Sequence, residues 1–518
     1  VSSQALIVTV TVIYLGLMIG IGLWAKRRMN SAKEFLVAGQ SLGFFVMAIA
    51  SFSSIQSGWG MVGATGATAS WGIGGLAVGI LAPLGFALTW FLLGGKLRRL
   101  AHAHDAYSIP DLVKVRYGNG PASLWMSIAL IIGAIGYMTA QVVAAGVITA
   151  LLLGLSFTHA LIIGAIIVAA YTVAGGMLAA VWTDLVQGLL MIAMSVFVFF
   201  LAIGVGGGWS STLSGISEAN PEFLQLDGVK PAVWWVANAL MIAFGMIGQP
   251  QLIHKFLMLR SPRELRWGAL VAALGYGITT LFSIGIGFAA RGQIEAGLMA
   301  KPEAADDTTT AFLDQFASPI VTALALTALL AAIMSSASSF ITIGASAMTR
   351  DLLGAFGREI TNELRWNRIA SIVITAAAVG VALFLDQIIY LLGAIGWSAF
   401  AAATLGPIVL GLYWRRGTSR GATVAISGSL ILNIVLVLAD RYEWWTPPSH
   451  FFTGFTVIVA GVVLYVVASL LTPSDEDVRR FDTVIPSGFP VPAAATTSAA
   501  AAAADRAAVL ADNSGETR

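Results

Sequence analysis

Ala332-Ile333-Met334-Ser335-Ser336-Ala337-Ser338-Ser339 lies inside an apolar run that extends from about Pro319 to Ala347. Four hydroxyls in five residues are unusual there. An α-helix turns ~100° per residue, so Ser335, Ser338 and Ser339 share one face, with Ser336 beside them. Neutral hydroxyl and carbonyl oxygens are what a hard, singly charged cation takes when it sheds water. Small residues also let helices pack closely, and serines bond back to carbonyls one turn earlier. Partners elsewhere in the chain decide between these readings.

Composition points to a membrane. Of 518 residues, 58% are apolar and 10% charged, with a mean hydropathy of +0.85; soluble domains are ~25% charged. The net charge of +2 is too small to suggest a nucleic-acid partner. There is no cysteine, which excludes disulfides, thiol redox chemistry and cysteine-ligated metals. The five histidines (His102, His104, His159, His254 and His450) form no ligand pattern. The first apolar run is followed by Lys26-Arg27-Arg28 and not by a small-residue cleavage site, so no cleavable leader is expected.

The hydropathy pattern predicts an all-α integral membrane protein of thirteen spans. They fall near 5–24, 42–66, 73–95, 121–153, 157–174, 176–202, 232–249, 267–290, 318–346, 367–386, 388–412, 420–438 and 450–472, numbered zero to twelve. On this division, 24 of the 28 Lys and Arg fall in alternate connections and in the tail, and only Lys230, Arg291, Lys301 and Arg441 fall opposite. Positive charge marks the cytoplasmic side, so the N-terminus is expected outside and the C-terminus inside. The stretches 254–266 and 350–366 mix basic and apolar residues, as segments at the cytoplasmic interface do. Trp234, Trp235, Trp444 and Trp445 fall at outer boundaries, as an aromatic belt would.

Two spans are interrupted. Span one contains Ala50-Ser51-Phe52-Ser53-Ser54-Ile55-Gln56-Ser57-Gly58-Trp59-Gly60, and span six ends in Gly245-Met246-Ile247-Gly248-Gln249-Pro250. Proline removes a helix hydrogen bond. Freed carbonyls at membrane depth are tolerable only beside protein or a wet cavity. Two broken helices five spans apart predict a five-plus-five inverted repeat. The organisation expected is an extra helix and loop (1–40), a transport core (41–416, with repeats at 41–204 and 231–416), two further helices (417–472) and a disordered cytoplasmic tail (473–518). Asp184 is the one acidic residue well inside a span, and such a carboxylate is functional by default. It lies eight residues from the inner end of span five, as Ser338 does in span eight. The rival reading is a structural acid bonded to nearby hydroxyls such as Thr183.

These stretches resemble the sodium:solute symporter family, nearest its bacterial proline-type branch. The resemblance is carried by Glu34-Phe35-Leu36-Val37-Ala38-Gly39-Gln40-Ser41-Leu42-Gly43, Ser57-Gly58-Trp59, Tyr171-Thr172-Val173-Ala174-Gly175-Gly176-Met177 running into Trp182-Thr183-Asp184, Gly248-Gln249-Pro250 and the span-eight serines. Gly406-Pro407 with Tyr413-Trp414-Arg415-Arg416 adds support. The resemblance implies a first sodium site at Ser53, Gln56, Ala332, Ser335 and Ser336. It also implies, as in some members, a second sodium at Asp184, Ser335, Ser338 and Ser339. Members that carry proline have an acidic residue two positions before Ser-Gly-Trp and a tryptophan seven before the Gln of Gly-Gln-Pro. Here these are Ile55 and Ile242.

The function expected is a sodium-coupled symporter in the inner (cytoplasmic) membrane, with sodium ions, a small organic solute and the lipid bilayer as its partners. It is not an enzyme. The solute pocket is expected at Gln56, Ser57, Gly58, Trp59, Tyr137, Gln141, Phe244, Gln249, Trp397 and Ser398. That set is mostly apolar, with a few amides and hydroxyls, and suits a proline-like amino acid better than a sugar. A monocarboxylate or pantothenate-type carrier is the alternative. So are a proton-coupled carrier with Asp184 as proton site, a passive channel, and a membrane sensory module, against which the short tail without a kinase motif argues.

Overall fold

The computed structural model describes residues 3–26, 42–260, 265–356, 362–385, 389–447 and 450–485. Among them the chain is helical, and the only β-type pairing is an isolated bridge between Leu42 and Leu259. An α-helix satisfies its own backbone, which is what a segment without water requires.

In chain order the helices are α1 (Ser3–Lys26), α2 (Phe44–Ile55), α3 (Ala64–Trp71), α4 (Ala77–Thr89), α5 (Gly95–Ala103), α6 (Ile109–Tyr117), α7 (Pro121–Leu153), α8 (Phe157–Val205) and α9 (Trp209–Ala219). Then follow α10 (Ala232–Ile247), α11 (Pro250–Met258), α12 (Leu265–Glu295), α13 (Thr308–Phe316), α14 (Pro319–Ser346), α15 (Glu363–Leu385), α16 (Ile389–Thr404), α17 (Ser419–Arg441), α18 (His450–Leu471) and α19 (Asp475–Val484). Among the described residues ten helical stretches are long and apolar enough to cross a membrane, or eleven if the bent pair at α2 counts as one span. Two of the thirteen expected spans fall short. Span four corresponds to the short apolar stretch Phe157–Ala170. Span two is divided between α4, with Pro83 inside it, a π-helical turn at Trp90–Gly94, and α5.

Helix α14 lies inside the bundle, with most of its residues buried, whereas α1 lies at the edge. It packs along α8, α7 and α2. Small residues set the close approaches: a Cβ at Gly188 would stand 2.8 Å from Ile49 Cγ2, so α8 and α2 lie against each other there.

Three expectations change. The helical hydrogen bonding of α11 continues through 254–258, and Gln251 to Met258 are all buried, so this stretch is no interfacial segment. Pro250 stands at N1, where its missing N–H costs nothing and its fixed φ starts a helix. Trp234 is buried against Trp71 and Phe451, and Trp235 against Trp234, not displayed as a belt; Val233 and Val236 hold the exposed face. In the tail, Asp475–Val484 is helical: Ser474 caps it by accepting from Asp477 N at 3.2 Å, and Asp477 in turn accepts from Ser419 N at 3.1 Å. Residues 486–518, the rest of the tail expected to be disordered, lie outside the described residues, as does the 34–41 part of the first family stretch.

The connection from α12 to α14 is anchored by Asp306. Its Oδ2 accepts from Ile389 N at 2.8 Å, one of the N–H groups at a helix start that have no intrahelical partner. Ala305 beside it packs so tightly on α3 that a Cβ at Gly66 would be 2.3 Å from the Ala305 carbonyl. Burial, with Asp307 adjacent, pushes the Asp306 carboxyl up to about 7 against the lowering effect of the Ile389 bond. A carboxyl raised by folding binds a proton that the unfolded chain releases, so stability is fully present below the unfolded value and is lost as pH rises towards about 7. Melting temperatures of the detergent-purified protein should fall for this reason between about pH 4 and pH 7, and Asp306→Asn should remove that component.

Candidate functional site

Helix α2 stops at Ile55 because Gln56 is extended, with ψ 126°. The chain re-enters helix through a π-helical turn at Trp59–Gly63, and the two halves meet at 64°. The last carbonyls of α2 therefore have no intrahelical partner, in a wall of buried apolar side chains. Two hydroxyls from α14 meet them. Ser335 Oγ lies 2.7 Å from the Ser53 carbonyl and 3.1 Å from that of Ala332. Ser336 Oγ lies 2.8 Å from the Gln56 carbonyl and 3.1 Å from that of Ser54. The five residues expected at the first site are thus brought together, and Ser54 joins them.

A hydroxyl has one proton, so two protons here face four carbonyl oxygens. The set is oxygen-only, neutral, fully buried and at the negative end of a helix. What it lacks is positive charge, and its donors fit a small hard cation.

The residues expected around the solute mostly converge beside this break. Trp59 meets Trp397 at 5.0 Å between ring centroids and Tyr137 edge-on at 6.3 Å. Ser57 Oγ and Tyr137 Oη are 3.1 Å apart. Gln141 Oε1 accepts from Gly58 N at 3.0 Å, an approach that leaves no room for a Cβ at Gly58, which would be 2.4 Å from Ala144 Cβ. Gln249 Nε2 reaches the carbonyls of Gly245 and Trp397 at 3.0 and 3.2 Å. Four amide atoms here are buried without a hydrogen-bond partner: Gln56 Nε2 and Oε1, Gln141 Nε2 and Gln249 Oε1. Such atoms are costly to bury unmatched, and a polar ligand would match them.

Two expected pocket residues lie elsewhere. Phe244 is 45% exposed on the outer face of α10, because that helix turns Met241, Ile242 and Gly245 inward. Ser398 bonds to its own helix at Ile395 O, 3.0 Å, and faces Gly454 of α18, about one step of helix rotation away from Trp397. The sequence reading missed Phe340, whose ring centroid is 4.3 Å from that of Tyr137. It lies one residue past the serine run, and its apolar character gave no functional signal.

Asp184 is fully buried in α8, but its surroundings differ from those expected. Lys255 Nζ of α11 lies 2.6 Å from Asp184 Oδ2, and Ser54 Oγ shares its proton between that oxygen at 3.0 Å and the Ala50 carbonyl at 2.6 Å. Lys255 is 2% exposed in its side chain, so it is no cytoplasmic loop charge. Among the described residues no hydrogen bond joins Asp184 to Ser335, Ser338 or Ser339; Ser338 Oγ bonds instead to Ser335 O at 3.0 Å, and Ser339 Oγ is buried without a partner. The signal for Lys255 was Pro250 as a helix start, which continues span six by two turns and carries the lysine to depth.

The second break is closed by a different hydroxyl. Between α10 and α11, Thr404 Oγ1 donates to the Gly248 carbonyl at 2.6 Å.

Interrupted helices facing buried oxygens, within a bundle of long apolar helices, define a multi-pass membrane protein with a polar centre. The chain belongs to the sodium:solute symporter family, whose family model matches residues 35–430. It is a sodium-coupled solute symporter. The osmoregulated proline transporter OpuE of Bacillus subtilis (strain 168) is 30% identical over 475 residues, 89% of this chain and 92% of that protein. A sodium/pantothenate symporter of Haemophilus influenzae is 27% identical over 428 residues, 79% of this chain and 86% of that protein. A solved sodium-coupled sialic acid symporter in a substrate-bound outward-open state matches with a TM-score of 0.71 at 20% identity, covering 90% of this chain and 98% of that one. That last likeness is one of fold.

Removing the Thr404 hydroxyl should expose the importance of closing the second break. Thr404→Val keeps the shape but strips the Gly248 carbonyl of its donor, at a cost of about 1–3 kcal/mol. Thr327→Val is the control, because Thr327 Oγ1 bonds only to Ala323 O of its own helix, 2.7 Å. The first variant should melt several degrees lower in detergent and the second close to wild type.

Proposed function

We propose that the protein imports a small, largely apolar, zwitterionic solute, a proline-like amino acid, driven by sodium bound between α2 and α14. The sodium ligands in this reading are Ser53, Gln56, Ala332, Ser335 and Ser336. The single observation that carries it is the pair of α14 hydroxyls set among four carbonyls at the α2 break. Sodium entering there would draw the broken helix and α14 together and favour one outward-facing arrangement, which solute binding then releases. The membrane potential adds ~2.3 kcal/mol per charge per 100 mV.

The broader architecture proposed with it is thirteen spans in a five-plus-five inverted repeat, with the N-terminus outside and the C-terminus in the cytoplasm, in the inner membrane. The solute would lie against Trp59, Tyr137 and Trp397. Its polar ends would match the unpartnered amides of Gln56, Gln141 and Gln249. Its carboxylate would sit at a half-helix N-terminus, either at the Trp59 re-entry or at Pro250, where the helix dipole favours negative charge. A relative named as a proline transporter supports the amino-acid reading. One named as a pantothenate symporter supports a carboxylate solute as the second reading, and Ile55 and Ile242, both apolar and buried, favour a less polar pocket.

Uptake of labelled proline, pantothenate and lactate into proteoliposomes, with a sodium gradient and with pH and potential clamped, separates these solutes. A proton gradient that drives uptake without sodium would overturn the coupling reading. Ser335→Ala and Ser336→Ala should each raise the half-saturating sodium concentration by roughly tenfold, the effect of losing about 1.4 kcal/mol of binding. Unchanged sodium dependence in both variants would sink the ligand assignment.

A further inference from the structure

The ion pair between α8 and α11 is more than a neutralised acid. Asp184 and Lys255 come from helices far apart in sequence, meet at 2.6 Å, and are almost wholly excluded from solvent. Removing two charges from water is costly, and an apolar pair would pack as well. Yet the pair is not saturated: Asp184 Oδ1 has no partner, and neither have the buried hydroxyls Ser53 Oγ and Ser339 Oγ on α2 and α14. Lys255 thus neutralises Asp184 through one oxygen, Oδ2. Ser54 ties it to the first site, because its hydroxyl lies 3.0 Å from Asp184 Oδ2 while its own carbonyl faces Ser336 Oγ at 3.1 Å.

We propose that the Lys255 ammonium serves as a built-in cation at Asp184, taking the place a second sodium would otherwise fill, so that the protein binds one sodium where an unpaired Asp184 would demand two. This deepens the symport reading above and rests on it. A carboxylate at this depth must be neutralised. A tethered ammonium does so at an effective concentration no free ion matches, and it carries no net charge across the membrane. The specificity-determining residue for ion stoichiometry is then Lys255, on the inner half of the second broken helix, rather than any serine of α14.

The test counts sodium and needs no solute. Equilibrium binding of radioactive sodium to the full-length protein in nanodiscs, with potassium as the balancing ion, should give one ion per wild-type chain. Lys255→Met, which keeps the length and removes the charge, should give two. Lys255→Arg and the double variant Lys255→Met/Asp184→Asn should each give one. Two ions on the wild type would overturn the inference, as would one ion on a folded Lys255→Met. If Lys255→Met elutes as aggregate, wild type against the double variant decides: equal counts support the inference, and a lower count in the double variant overturns it. No sodium bound to folded wild type would instead refute the first-site reading, a distinguishable failure.

Discussion

A backbone carbonyl inside hydrocarbon needs a hydrogen-bond donor or a cation, and this constraint organises the molecule. Where α2 breaks, the carbonyls of Ser53, Ser54 and Gln56 lose the helix that would have covered them. Helix α14 supplies donors there, from Ser335 and Ser336, both fully buried. Apolar side chains there would pack as tightly and leave the carbonyls bare, at several kcal/mol each. The polar run in α14 and the break in α2 are thus two halves of one requirement. The break between α10 and α11 follows the same rule with another helix, as Thr404 reaches the Gly248 carbonyl.

Neutral donors and a charged pair divide the work along α2. Ser53 and Gln56 present carbonyls to hydroxyls, which leaves an oxygen set short of positive charge. One residue along, Ser54 presents its side chain to a carboxylate whose charge an ammonium already offsets. With sodium at the first place, as proposed above, that ion would come and go without leaving a bare charge behind. The second place cannot lose its cation so, since separating Asp184 from Lys255 would strand two buried ions. A movement of α11 relative to α8 is therefore resisted by electrostatics, whereas a movement of α2 relative to α14 is governed by what sits among the oxygens.

The parts of this arrangement legible in the sequence are those that local chemistry marks. Hydroxyls in an apolar run, glycines beside a tryptophan and a proline after an amide are all anomalies against a uniform background. They located the α2 break, the α14 serines and the Gln249-Pro250 turn. Span two was harder, because Pro83 and the π-helical turn at Trp90–Gly94 divide a run whose hydropathy is continuous. Phe244 failed for a geometric reason: neighbouring helix positions differ by ~100°, so proximity to Gly245 in sequence put it on the opposite side in space. Trp234 and Trp235 failed because an aromatic at a boundary reads alike whether it faces lipid or a neighbouring helix.

Lys255 was illegible for a deeper reason. Charge counting assigns a lysine after a proline to the cytoplasm, and most are there. Its exception follows from the break itself. A helix that stops and restarts part-way through a span still has the rest of the span to cross, so residues five or six beyond the restart remain within it. Any charge in that half-helix must find a counter-charge on a neighbour, and Asp184, the carboxylate otherwise without one, faces it from α8. The two anomalies that separately looked like a site for a free ion and a loop charge are one pair. Each is tolerable in the membrane only because the other is there, and the broken helix is what brings them to the same level.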